Sequence, residues 1–137
     1  MIARILHPGM AAGLAIRLTE PLSFWGGVDD DGRLVDAHHP QCGAVLTGRV
    51  LLMESGRGSS SSSSVLAERI RTRTAPAAVI LSRPDQIIPL GALIAHELYG
   101  LALPVVVAPY DDLPTDRLIT VDATASHASI TWSTFTS

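Results

Sequence analysis

Unbroken apolar runs and helical periodicity alternate through the middle of this chain. Val50, Leu51, Leu52 and Met53 follow one another without a polar break, the mark of a strand buried on both faces. Beyond a serine tract, Val65, Leu66, Arg69 and Ile70 fall at the spacing of one helix face, and Ala75-Pro76 stops that helix near residues 72–74. Residues 77–81 are again wholly apolar and predict a second buried strand. Residues 91–99 predict a second helix, with Gly100 as its C-terminal cap. Pro104-Val105-Val106-Val107 then predicts a third strand. Strand, helix, strand, helix, strand is the order that builds right-handed crossovers onto a parallel sheet.

The flanks have β character of a different kind. Residues 2–6 and 14–18 are short β-like runs separated by Pro8-Gly9 and Gly13, and they predict a hairpin. Asp29-Asp30-Asp31-Gly32 is a turn signal before a short strand at Leu34-Val35. Residues 118–121 and 128–132 alternate and predict a closing hairpin. The expected fold class is therefore α/β, a central βαβαβ segment flanked by β hairpins, in one domain over residues 1–137.

The serine tract sits where this pattern changes from strand to helix. Gly56-Arg57-Gly58 is followed by six serines, 59–64. Composition alone allows a flexible linker, but strand and helix abut the tract with no spacer. The first turn of a helix has backbone N–H groups without intrahelical partners and a partial positive charge, so the junction suits an anion or an activated hydroxyl. Glycine at 56 and 58 permits a sharp turn and close approach of a ligand to the main chain. Ser61 or Ser62 is the expected helix N-cap, which leaves Ser59 and Ser60 in the loop. No Gly-Lys-Ser/Thr ending is present, which excludes a Walker-type phosphate loop.

Charge and cysteine content narrow the classes. Formal charge is −3 with no basic run, so nucleic acid is not an expected partner. Charged residues make up 17% of the chain, against about 25% for an ordinary soluble domain. With 47% hydrophobic residues, this predicts a surface partly covered by a partner subunit. Pro89, His96, Glu97 and Pro104 interrupt the most apolar region, residues 87–109, and no membrane span or secretion signal is expected. Cys42 is the single cysteine, which rules out an internal disulfide, fits a reducing cytoplasm, and is too little for a self-contained iron–sulfur cluster. The acids at 29–31 lack calcium-loop spacing, and the adjacent His38-His39 pair lacks a third ligand, so no metal site is expected.

Several motifs carry a more specific signal. Ser23-Phe24-Trp25-Gly26-Gly27-Val28-Asp29, His39-Pro40 with Gly43, Gly56-Arg57-Gly58-Ser59-Ser60, Ala75-Pro76-Ala77-Ala78, and Gly91-Ala92 with Leu98-Tyr99-Gly100 occur in that order. Together they resemble the small subunit of the aconitase X family over most of the chain. The resemblance implies a swivelling β/β/α domain that docks on a larger subunit holding an iron–sulfur cluster. It implies a hydro-lyase whose members dehydrate cis-3-hydroxy-L-proline or mevalonate 5-phosphate. It also implies that Ser59, the first serine after Gly-x-Gly, is the proton acceptor.

Physical chemistry limits what Ser59 can do alone. Lowering a serine hydroxyl by about six pKa units requires roughly 8 kcal/mol of preferential stabilisation of the alkoxide. A helix N-terminus supplies about 0.3–2 kcal/mol. Arg57 is the one cation of the loop and could hold the alkoxide or a substrate carboxylate, unless it pairs with Glu54 on the surface. The sum falls short, so the chain alone should be inert and its site completed by the partner's metal cluster. Gly58, Ser60, Ser61 and their backbone N–H groups are the expected carboxylate binders.

Where the wider aconitase pattern continues with an arginine after the paired serines, this chain has Ser61, which removes that anchor. Scarce cations near the loop argue against a phosphorylated substrate, and His38-His39-Pro40-Gln41, the long serine run and Glu97-Leu98-Tyr99-Gly100 resemble the bacterial hydroxyproline-type small subunits more than the archaeal type, which implies the hydroxyproline substrate over the phosphorylated one. The contrasting expectation is a non-catalytic swivelling module, a carrier that would use His38 or His39 on an exposed turn.

Overall fold

A computed structural model describes residues 1–132, and the single-domain expectation extends over residues 133–137, which lie outside the described residues. The strands are β1 (Ile2–His7), β2 (Gly9–Arg17), β3 (Val50–Met53), β4 (Ala78–Leu81), β5 (Val105–Val107), β6 (Leu118–Ala123) and β7 (Ala128–Trp132). They close into a barrel in the order β1-β5-β4-β3-β2-β6-β7. β2, β3, β4 and β5 run parallel, while β1, β6 and β7 pair antiparallel with their neighbours. Helices α2 (Ser60–Arg71) and α3 (Ile87–Tyr99) are the two crossovers, and α1 (Phe24–Gly27) is a tight turn with Gly26 at φ 77°.

The apolar strands are explained by two cores. Along β3 and β4, Val50, Leu52, Ala78 and Ile80 point into the barrel and meet Val106, Ile119, Val121 and Ile130. Their alternates Leu51, Met53, Val79 and Leu81 point outward, beneath Leu66, Ile70, Ile88 and Ala92 of the helices. A strand buried on both faces has no solvent side to mark with polar residues. Each fully buried leucine or isoleucine in these layers contributes about 1.5–3 kcal/mol. Barrel wall, opposing wall and helix layer give the β/β/α arrangement, with the βαβαβ segment and the closing β6–β7 hairpin where the sequence places them.

Three expectations fail for identifiable reasons. β1 and β2 do not pair as a hairpin; β1 pairs with β5 and β7, and β2 with β3 and β6. Pro8 is the one residue between them, and an antiparallel hairpin needs a loop of at least about two residues. Leu34-Val35 is not a strand but takes part in an isolated bridge, Val28 to Leu34. α3 begins at Ile87 rather than 91 because Pro89 falls in the first turn, where its missing N–H has no intrahelical partner to lose. Gly100 ends it in the left-handed conformation, φ 67°, and its N–H donates to the His96 carbonyl at 3.0 Å.

Candidate functional site

The serine tract lies beyond the carboxyl end of β3 and opens α2. Gly56 bridges to Leu22, and the Arg57 N–H donates to the Leu22 carbonyl at 3.0 Å, so the chain leaving β3 runs beside the segment after β2. The Asp85 carboxylate holds it from the other side. Its Oδ2 accepts from the N–H of Gly56 at 3.3 Å and of Ile88 at 3.1 Å, and its Oδ1 accepts from the N–H of Ile87 at 3.2 Å. One carboxylate thus caps α3 and ties down the glycine that opens the loop.

Gly58 has φ 102°, a left-handed conformation that only glycine adopts without strain. The following residue, Ser59, is extended (φ −119°, ψ −169°) and is itself the N-cap of α2. Its Oγ accepts from the Ser61 N–H at 3.3 Å, and its carbonyl accepts from the Ser62 N–H at 2.9 Å. The expectation of a cap at Ser61 or Ser62, with Ser60 still in the loop, is corrected here. The turn at Gly58 sets the helix start, and Ser60 is already helical.

An N-cap serine has an unusual hydroxyl. Its oxygen accepts a backbone N–H at the positive end of the helix, an arrangement that favours the alkoxide over the neutral group. The hydroxyl proton remains free of that bond and can be directed elsewhere. Arg57, Gly58, Ser59, Ser60 and Ser61 are all exposed and form one continuous surface made of the loop end, the cap and the first helical residues of α2. Glu54 pairs with Arg83 at 2.6 Å, so the alternative ion pair of Arg57 with Glu54 is not formed.

Ser62 and Ser63 face inward, unlike a linker, while Ser64 is exposed. Ser62 and Ser63 are 1% and 0% exposed. Ser63 Oγ donates to the Ile87 carbonyl at 2.7 Å, joining α2 to the start of α3. Ser62 Oγ lies 2.6 Å from Ser23 Oγ, which donates to the Trp25 carbonyl at 3.1 Å. Local spacing could not reveal that Ser23, Ser62 and Asp85 brace this site. The only local signal was an aspartate just ahead of an apolar helix with proline in its first turn.

The histidine pair divides. His39 is 4% exposed; its Nδ1 accepts from the Gln41 N–H at 3.1 Å, so Nε2 carries the proton and donates to the Glu20 carbonyl at 3.1 Å. Both ring nitrogens are occupied in holding a loop, while His38 is exposed. Among the described residues no group of three or more His, Cys, Asp or Glu side chains could hold a metal ion. Among those residues no helix is long and apolar enough to cross a membrane.

Comparison with known proteins adds a family to this geometry. The model of the aconitase X swivel domain matches residues 1–130. The chain is 46% identical over 106 residues to the cis-3-hydroxy-L-proline dehydratase of Pseudomonas aeruginosa, a match covering 77% of this chain and 18% of that one. It therefore spans less than a fifth of that relative's length. It is 40% identical over 111 residues to the phosphomevalonate dehydratase small subunit of Methanothermobacter thermautotrophicus, with 80% of each chain covered. The crystal structure of Thermococcus kodakaraensis aconitase X in its holo-form superposes with a TM-score of 0.81 at 30% identity, covering 94% of this chain and 95% of that one.

Proposed function

The chain belongs to the aconitase X swivel-domain family, and from that premise we propose that it is the small subunit of a hydro-lyase that dehydrates a small hydroxy acid, with Ser59 as the proton acceptor. The observation that carries the proposal is the capping geometry of Ser59. Its oxygen is exposed, held by the Ser61 N–H and set at a helix N-terminus. As the alkoxide, such an oxygen can take the proton from the carbon next to a carboxylate while the neighbouring carbon releases hydroxide, and the proton gained by the serine then leaves with that hydroxide as water. Arg57, the backbone N–H groups of Gly58 and Ser60, and the Ser61 hydroxyl bind the carboxylate and oppose its charge.

The residues of this chain do not fit an iron–sulfur cluster, since Cys42 is its one cysteine and is exposed. The proposed assembly therefore includes a large subunit that carries the cluster and covers the exposed loop. The closure that brings the two together excludes water from around Ser59.

Cis-3-hydroxy-L-proline is the proposed substrate, to be converted to 1-pyrroline-2-carboxylate. The 46% identity to the Pseudomonas dehydratase supports it. Mevalonate 5-phosphate is the second reading, favoured by the match to an archaeal small subunit that covers 80% of both chains. A non-catalytic histidine carrier is the third reading; His39 is buried with both nitrogens bonded, which leaves the exposed His38 as the member of the pair that would serve it.

The test is an anaerobic dehydration assay of this chain assembled with its cluster-bearing large subunit, given each substrate separately, with wild type beside Ser59→Ala. Turnover of hydroxyproline that disappears in the variant is the expected result. Full activity in folded Ser59→Ala would overturn the base assignment. Turnover of the phosphorylated substrate alone would replace the first substrate by the second.

A further inference from the structure

We infer that Ser23 and Ser62 form a positioning pair that sets where Ser59 stands; the inference rests on Ser59 acting as the base proposed above. Ser62 occupies the third helical position of α2 and is 1% exposed. Alanine would serve that helix better, since serine has the lower helix propensity and its buried hydroxyl demands a partner. The partner is Ser23, 39 residues earlier, at 2.6 Å.

The direction of the bond follows from what lies beyond it. Ser23 has one hydroxyl proton and gives it to the Trp25 carbonyl at 3.1 Å, so Ser62 donates to Ser23. The turn carrying Trp25, which is 65% exposed, is thereby tied to the first turn of α2.

Gly58 rests on this pair. A Cβ at Gly58 would lie 2.4 Å from Ser62 Oγ and 2.9 Å from Ser23 Oγ. The two hydroxyls are the floor under the residue that immediately precedes Ser59, and the Ser62 N–H also holds the Ser59 carbonyl at 2.9 Å. Removing either hydroxyl leaves a gap under Gly58 into which the loop can settle. The cap oxygen then moves relative to the substrate, which lowers the rate of proton transfer more than it weakens binding.

The experiment measures kcat and KM of the assembled complex for wild type, Ser62→Ala, Ser23→Ala and the double variant, on whichever substrate wild type turns over. Circular dichroism and melting confirm that each folds. Each single change should lower kcat about tenfold with KM within about twofold of wild type. The double variant should be no slower than the worse single one, because both break the same bond. Wild-type kcat in both folded single variants, a loss confined to KM, or losses that multiply would each overturn the pair. Should Ser62→Ala fail to fold, Ser23→Ala decides, because Ser23 lies outside the helix and is only half-buried. An inactive Ser59→Ala beside fully active Ser62→Ala and Ser23→Ala refutes the pair alone, whereas an active Ser59→Ala refutes the base.

Discussion

Replacing Gly91 by alanine sets two opposed effects against each other at the crossing of α2 and α3. A glycine inside a helix is costly, and alanine there should recover about 0.8–1.0 kcal/mol of propensity. Against this, a Cβ at position 91 would stand 2.9 Å from the Ser63 carbonyl oxygen and 2.9 Å from Leu66 Cδ2, with Leu66 Cβ at 3.1 Å. The leucine tip could rotate away. The carbonyl cannot, because it is the backbone of the neighbouring helix. Forcing an extra methyl into a packed interior costs about 1–3 kcal/mol, and a backbone contact belongs in the upper half of that range.

The net expectation for Gly91→Ala is a loss of about 1–2 kcal/mol, or roughly 3–6 °C in melting temperature for a domain of this size. Urea denaturation should show a lower midpoint with an unchanged slope, since the surface exposed on unfolding stays the same. A melting temperature equal to or above that of wild type would refute the reasoning, because it would mean that α2 and α3 separate without cost. A contrast is built into the same helix. Gly100 has φ 67° and no atom within 4 Å of a built Cβ, so Gly100→Ala bears only the left-handed backbone penalty, about 1–2 kcal/mol.

Asp85→Ala leaves three backbone N–H donors without their carboxylate acceptor, and losing the cap and its charge at the start of α3 should cost about 1–2 kcal/mol, read as a fall of roughly 3–6 °C in melting temperature. Asp85→Asn should recover part of that fall, and an unshifted Asp85→Ala would show that the carboxylate does not hold the loop. His7 gives a pH dependence: it is 5% exposed, burial pushes its pKa below 6.5, the nearby His96 adds to the lowering, and the bond to the Leu103 carbonyl opposes it. The unfolded chain therefore binds the proton more readily, so the stability His7 contributes is complete above pH 6.5 and is lost as pH falls from there through the folded value. Unfolding free energies between pH 7.5 and pH 5, taken as roughly bracketing an ordinary histidine, should decline more steeply for wild type than for His7→Gln, and parallel curves would contradict the assignment.

The parts of the fold legible in the sequence are those in which every local signal agrees. Val50 to Met53 and residues 77–81 are too short and too uniformly apolar for helices, and Pro76 and Gly100 end the helices between strands, so the βαβαβ core could be read directly. The pairing of β1 was not legible, because strand runs identify strands but not partners. The single residue Pro8 between β1 and β2 was the missed constraint. In the site, the tract was legible as a strand-to-helix turn, but six identical residues carry no signal for which one caps the helix. The positive φ of Gly58 decides that, and it depends on the floor made by Ser62 and the distant Ser23.

A run of one residue type can hold several distinct roles once it is wound into a helix. Each successive residue turns by about 100°, so six consecutive serines sample the full circumference. Ser59 caps the helix, Ser60 and Ser61 face solvent, Ser62 meets Ser23, Ser63 binds the Ile87 carbonyl, and Ser64 turns back to the Ser60 carbonyl at 3.3 Å. Small side chains suit both the exposed and the buried directions here: bulk at 62 would displace Gly58, and bulk at 63 would press on the start of α3 at Ile87. Serine also satisfies itself at each inward position by bonding a hydroxyl or a carbonyl, which alanine could not do. The tract is therefore a structural joint between the two crossover helices and the exposed loop, and what composition presents as low complexity is a set of different hydrogen-bond partners.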